Sequence, residues 1–251
     1  LGLYDQAIPL IRGARDKRSS ALGPENDEVA QSLNHLGEVL ALDADYGEAE
    51  KKLREALEIR RKAQGPRSAE VATTLTALAD VLSRKGEYDA AEPLISEALS
   101  IRQSLYTGAH PALAESIEDL GLNFADRGDF DRALPLLQEA LTMRRKLHGE
   151  AHPDLAQAIN NLAWTYSELG QLDQAEPLYR EALNMKRKLL GAAHPELAAA
   201  LRNLAFILQS RGDAAGAERA YREALGMNRK LLGESHPEIA VNMSDLAFVL
   251  H

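Results

Sequence analysis

Seven histidines, no cysteine and several paired carboxylates are the residues of this chain that could do chemistry. His110, His152, His194 and His236 are the most regular set, each followed by proline and each 42 residues from the next. Zinc needs its ligands to converge at ~2.1 Å. Residues spaced once per long period are strung along a fold and cannot gather at one ion, so no metal site is expected there. His148 and His152 are four apart, but Gly149 and Pro153 break the helix between them. Glu118 and Asp119 are adjacent, hence on neighbouring helix faces, with no sequence reason for a buried acid. There is no glycine-rich phosphate loop, no HExxH and no nucleophile motif. Lack of cysteine excludes disulfides and thiolate metal sites and weakly favours the cytosol. The expectation is no catalysis and no cofactor.

Basic clusters recur at Arg60-Arg61-Lys62, Arg144-Arg145-Lys146, Lys186-Arg187-Lys188 and Arg229-Lys230. Each ends a predicted helix, where cations complement the negative end of the helix dipole. With a net charge of −9, a general nucleic-acid binder is not expected, since such proteins depend on concentrated Lys and Arg. No apolar run approaches the ~20 residues of a membrane span, so no membrane partner is expected either.

The elements that carry these residues repeat. In register with the His-Pro pairs run Leu36, Leu78, Leu120, Leu162, Leu204 and Leu246, and Ala49, Ala91, Ala133, Ala175 and Ala217, without insertion or deletion. A period of this size marks a stacked repeat array. Within one unit, Pro153 suits the start of a helix and His152 its flanking cap. Leu155, Ile159, Leu162, Ala163 and Tyr166 make an apolar stripe, and Gly170 ends the helix. A second helix follows, with Ala175, Leu178, Tyr179, Ala182 and Leu183 inward and Pro177 in its first turn or so. Small residues at 163 and 175 allow close helix approach, and each pair leaves apolar flanks that only neighbouring pairs cover.

Residues 1–22 read as the second helix of a partial repeat. Full repeats run 26–65, 68–107, 110–149, 152–191 and 194–233, and 236–251 is a first helix alone. Ala44 replaces the glycine found elsewhere between the two helices. The expectation is a single array, excised from a longer chain because it opens on leucine. Leu246, Ala247 and Leu250 lack a covering helix, which calls for further repeats or self-association through that end.

The spacing Leu162-Ala163, Tyr166, Gly170, Ala175, Tyr179, Ala182 resembles the tetratricopeptide repeat signature. The 42-residue period, the His-Pro opening and the run Ile159-Asn160-Asn161-Leu162-Ala163 resemble the kinesin light chain subgroup. The resemblance covers practically the whole chain. It implies an all-α fold, a right-handed α-solenoid of stacked antiparallel helix pairs with first helices lining a concave surface. It also implies that Asn34, Asn160, Asn161 and Asn203 hydrogen-bond the backbone of a bound peptide, which suits an amide that donates and accepts.

In that frame the inward stripe is Gln157, Asn160, Trp164 and Ser167, and its counterparts are acidic and polar in units one to three, with Thr76, Asp80, Glu115 and Glu118. Toward the end it becomes aromatic, with Arg202 beside Phe206, then Phe248. Trp164, Phe206 and Phe248 share one column, either as pockets for apolar side chains of a peptide or as packing between first helices. The candidate peptide-binding residues are therefore Asn34, Thr76, Gln157, Asn160, Asn161, Trp164, Ser167, Arg202, Asn203, Phe206 and Phe248. The motif is broken at Thr76-Ala77, Glu118-Asp119 and Ser244-Asp245, and the acids favour a basic-plus-apolar peptide over an acidic one. The function expected is a non-catalytic protein- or peptide-binding scaffold. The alternatives are a peptide-sensing module of a larger signalling protein and an end-to-end structural domain.

Overall fold

A helix cannot bond its own first amides, so each repeat opens on a side chain that accepts from them. Asn26 Oδ1 accepts from the Glu28 N–H at 2.9 Å and Ser68 Oγ from that of Val71 at 3.1 Å. In the His-Pro repeats the acceptor is the imidazole. Nδ1 of His110, His194 and His236 takes the N–H two residues on at 3.2 Å, and that of His152 at 3.1 Å. The cap expected of His152 is thus present in all four, and proline occupies the first helical position after each.

A computed structural model describes residues 3–149 and 151–251, with only the backbone of Leu3. Among these residues lie twelve α-helices and no strand: α1 (Leu3–Leu22), α2 (Asp27–Leu42), α3 (Tyr46–Gln64), α4 (Ala69–Arg84), α5 (Tyr88–Leu105), α6 (Pro111–Asp126), α7 (Phe130–His148), α8 (Pro153–Glu168), α9 (Leu172–Leu190), α10 (Pro195–Ser210), α11 (Ala214–Leu232) and α12 (Pro237–Val249). Even numbers are the first helices of the repeats. Two compact units form, Leu1–Asp129 and Phe130–His251. Within each, every helix packs on the next in sequence.

The apolar columns become the core. Leu33, Leu53, Leu75, Leu78 and Leu82 are fully buried in the first unit, and Ile159, Leu197 and Ile207 in the second. Ala49, Ala91, Ala175 and Ala217 are fully buried as well, which is how paired helices come close. At Gly37 the approach is tighter still, since a Cβ there would meet Leu53 Cγ at 2.6 Å. Between the helices of a pair, Gly86, Gly128, Gly170 and Gly212 hold φ of 69° to 86°, and Ala44 is forced to 62° at the same place. Pro177 lies further into α9 than its first turn.

The basic clusters do more than answer a dipole. Buried Arg60 and Arg102 each reach the next first helix, donating to Thr74 Oγ1 and Ser116 Oγ at 2.6 Å, and half-buried Arg18 donates to Ser32 Oγ at 2.7 Å. The following arginine of a cluster reaches the next second helix instead. Arg61 pairs with Glu97 at 2.7 Å, Arg145 with Glu181 at 2.9 Å and Arg187 with Glu223 at 2.6 Å. Spacings of 14 and 36 residues look unrelated in a linear sequence, but in a 42-residue stack both join neighbours.

Candidate functional site

In the second unit the aromatic column divides. Trp164 is half-buried and packs on the core that includes Ala163, Leu201 and Ala205. Phe206 and Phe248 are 56% and 76% exposed. Together with Tyr221, Gln209 and Asp245 they border an open cleft of about 590 Å³. The Tyr221 hydroxyl points to Gln209 Oε1 at 3.4 Å, and burial raises its pKa. An apolar surface of this kind, rimmed by amide and carboxylate groups, suits side chains presented by another molecule.

Polar rungs link consecutive first helices beside it. Asn203 Nδ2 donates to Asn160 Oδ1 at 3.3 Å, and Arg202 Nε donates to Asp245 Oδ2 at 2.9 Å. Arg202 also reaches Glu238 at 3.2 Å. Gln157 Nε2 donates to Asn161 Oδ1 at 2.8 Å, and Ser167 is half-buried. Asn160, Arg202, Asn203, Phe206 and Phe248 thus share α8, α10 and α12. Asn34 lies in the first unit, buried, with its amide donating to Glu38 and its Oδ1 shut from solvent without a hydrogen-bond partner. Thr76, also in the first unit, lines a different cavity.

That cavity, of about 160 Å³, lies between α4, α5 and α6, lined by Thr76, Asp80, Ser83, Asp119, Asn123 and Asp126 with apolar walls. Asp119 Oδ2 and Asn123 Oδ1 are both closed to solvent and have no hydrogen-bond partner. Asn123 is 2% exposed and spends its Nδ2 on the Tyr88 carbonyl at 3.1 Å. Burial, reinforced by the like charges of Glu115 and Glu118, pushes the Asp119 carboxyl up to about 8. Burial also raises Asp126. The expectation that nothing buries the Glu118-Asp119 pair is therefore overturned: Glu118 is buried, and half-buried Asp119 has its Oδ2 sealed from solvent. The signal was one column away. Position 123 aligns with Val39, Val81, Thr165, Ile207 and Val249, so an asparagine there places a full amide where other repeats keep aliphatic or short side chains.

His148 and His152 come together despite the broken helix, their rings stacked at 3.7 Å. With Asp154 their ligating atoms lie within 4.8 Å of one another, so these three could hold a metal ion. However, His152 Nδ1 is engaged by the Asp154 N–H, and Arg144 sits 3.2 Å from the Asp154 carboxylate. Tyr106 stacks on His110 at 3.5 Å at the corresponding positions, so ring stacking here belongs to the repeat. Burial, with His152 alongside, holds His148 below the usual histidine range.

A fold of paired helices in register, with exposed side chains along the first helices, agrees with what comparison finds. The tetratricopeptide repeat profile matches residues 1–62, 70–146 and 118–188, and a second profile of that description matches 197–238. The chain belongs to the tetratricopeptide repeat family, whose members are generally non-catalytic protein-interaction scaffolds. Its structure is similar to BtubC (BKLC) from P. vanneervenii, at 22% identity over 93% of this chain and 94% of that one, with a TM-score of 0.77. It is similar to a putative kinesin light chain repeat protein of Podosopora anserina, at 20% identity over 82% and 98%, with a TM-score of 0.70. A Signal Transduction ATPase with Numerous Domains protein with a tetratricopeptide repeat sensor, from Pyrococcus horikoshii, aligns with 99% of this chain and 36% of its own at 17% identity and a TM-score of 0.75. No curated protein matches. No helix among the described residues is long and apolar enough to cross a membrane.

Proposed function

We propose that this chain is a non-catalytic scaffold that captures a peptide segment of a partner protein along its first helices. The observation that carries the reading is the exposure of Phe206 and Phe248 over the cleft they share with Tyr221. Two phenylalanines left in water at equivalent positions of successive repeats forfeit burial energy that a ligand recovers, at ~25 cal/mol per Å² of apolar surface. Asn160, Asn203 and Gln157 supply amides beside them for main-chain contacts, a mode that tolerates varied sequence.

Selection of a displayed random peptide library on the purified chain tests this. Captured peptides should carry an apolar anchor, and the double variant Phe206→Ala, Phe248→Ala should weaken their binding at least tenfold. Because both rings are exposed, helical content and Tm should hardly move. Library selection that yields no ligand, or ligands indifferent to both phenylalanines, sinks the reading. A sensory role is the second reading, supported by the likeness to a repeat sensor in a signal-transduction ATPase. It requires in addition a change in solution scattering when peptide binds.

A further inference from the structure

The cavity lined by Asp119 and Asn123 has an internal counterpart that shows what it lacks. Thr76 and Asp119 stand at the same repeat positions as Arg202 and Asp245, each pair 126 residues earlier in the chain. In the later pair a guanidinium crosses from α10 to α12 and bonds the carboxylate at 2.9 Å. In the earlier pair the short Thr76 takes the place of the arginine, and Asp119 Oδ2 has no hydrogen-bond partner. A second acceptor, Asn123 Oδ1, is equally unpartnered in the same cavity, on a side chain that is 2% exposed. Two buried acceptors without donors are costly.

We propose that the cavity between α4, α5 and α6 receives an arginine side chain of the partner peptide, whose guanidinium bonds Asp119 Oδ2 and Asn123 Oδ1 as Arg202 bonds Asp245. This deepens the peptide-capture reading and rests on it. A guanidinium suits the site better than an ammonium because its planar fork offers donors to two acceptors at once and it sheds water more readily. The surrounding charge favours any cation: Asp80 on α4, itself bonded to Arg84, faces the cavity, and Glu115, Glu118 and Asp126 belong to α6. Arg102 on α5 is the opposing charge that Asp119 feels, and it is committed to Ser116, the Ala112 carbonyl and Glu115.

Proton linkage follows from the raised Asp119 pKa. At neutral pH the carboxyl holds its proton, so docking an arginine expels one. Affinity should then rise with pH by up to ~10-fold per unit until the carboxyl is already ionised near its own pKa.

Two measurements on the full chain decide it. In the first, the Asp119 side-chain carbon shift is titrated in methylguanidinium chloride and in sodium chloride of equal ionic strength. The midpoint should be lower by about one pH unit or more in methylguanidinium; equal midpoints overturn the proposal, whatever becomes of peptide capture. In the second, peptides selected on the wild type should contain an arginine whose replacement by citrulline weakens binding at least tenfold. The same replacement should cost nothing on Asp119→Asn, a variant expected to fold well because it removes a buried acid. An equal citrulline penalty on both proteins overturns the proposal. So does a lowered midpoint without any arginine-bearing peptide, which would assign the cavity to a free guanidinium compound. Selected peptides anchored on Phe206 and Phe248 but lacking arginine would overturn this inference and leave peptide capture standing.

Discussion

At the scale of single residues, Asp119 is the clearest conflict between stability and use. Its carboxyl is raised from 3.8 to about 8. The unfolded chain gives up this proton near pH 4, whereas the native chain keeps it to about pH 8, so native protein binds more protons in between. Stability contributed at this position therefore falls as pH rises through that window. Asp119→Asn should raise Tm near pH 7.5, by on the order of 2 kcal/mol in stability. The two proteins should converge below about pH 4, where both side chains are neutral. Thermal melts across pH check this, and a constant difference at all pH values would contradict it. The histidine caps were legible from the sequence because proline position and spacing define a helix start. The orphaned carboxyl was not, because burial of an acid depends on which neighbours close over it, and Asn123 and Ile95 come from different helices.

At the scale of elements, the turn between paired helices needs a left-handed residue, and the chain supplies glycine in four cases and Ala44 in the fifth. A left-handed alanine costs roughly 1 kcal/mol, partly offset by the lower entropy of its unfolded state. Ala44→Gly should therefore stabilise the chain by about 0.5 kcal/mol, while Gly170→Ala should destabilise it by about 1 kcal/mol. Urea unfolding of the two variants should give opposite signs. Helix positions, lengths and the small-residue contacts were readable in advance, since each depends on local pattern. The arginine ties were not. A cluster such as Arg60-Arg61-Lys62 looks like dipole compensation until the stack places Thr74 under one guanidinium and Glu97 beside the next.

At the scale of the whole molecule, the two units differ in what they offer. The first, with α1 to α6, carries the acid-lined cavity, and the second, with α7 to α12, carries the aromatic cleft. The sequence predicted this drift from acid to aromatic because one column could be followed through every repeat. It could not tell which rings stay outside, and only Trp164 turned to the core. On α12 Met243 is also exposed, and Leu250, just past the helix end, falls on the same side about two turns further on. Either further repeats or contact between copies through that face would cover them, and the second of these is open to measurement. Sedimentation velocity should show concentration-dependent association that Met243→Glu with Leu250→Glu removes; a wild-type monomer at all concentrations would contradict it.

The arginine ties bear on how each stack yields under load. Those at Arg60 and Arg102 are sealed from water, so dissolved salt hardly weakens them, while Arg61–Glu97, Arg145–Glu181 and Arg187–Glu223 lie in solvent, where salt near 1 M shortens the Debye length to ~3 Å, about the length of the pairs themselves. Concentrated salt should then loosen the outer seams while the inner rivets hold, making each unit more pliant without melting it. Hydrogen exchange in high salt should quicken at the ends of α3, α7 and α9 and leave α4 and α6 protected.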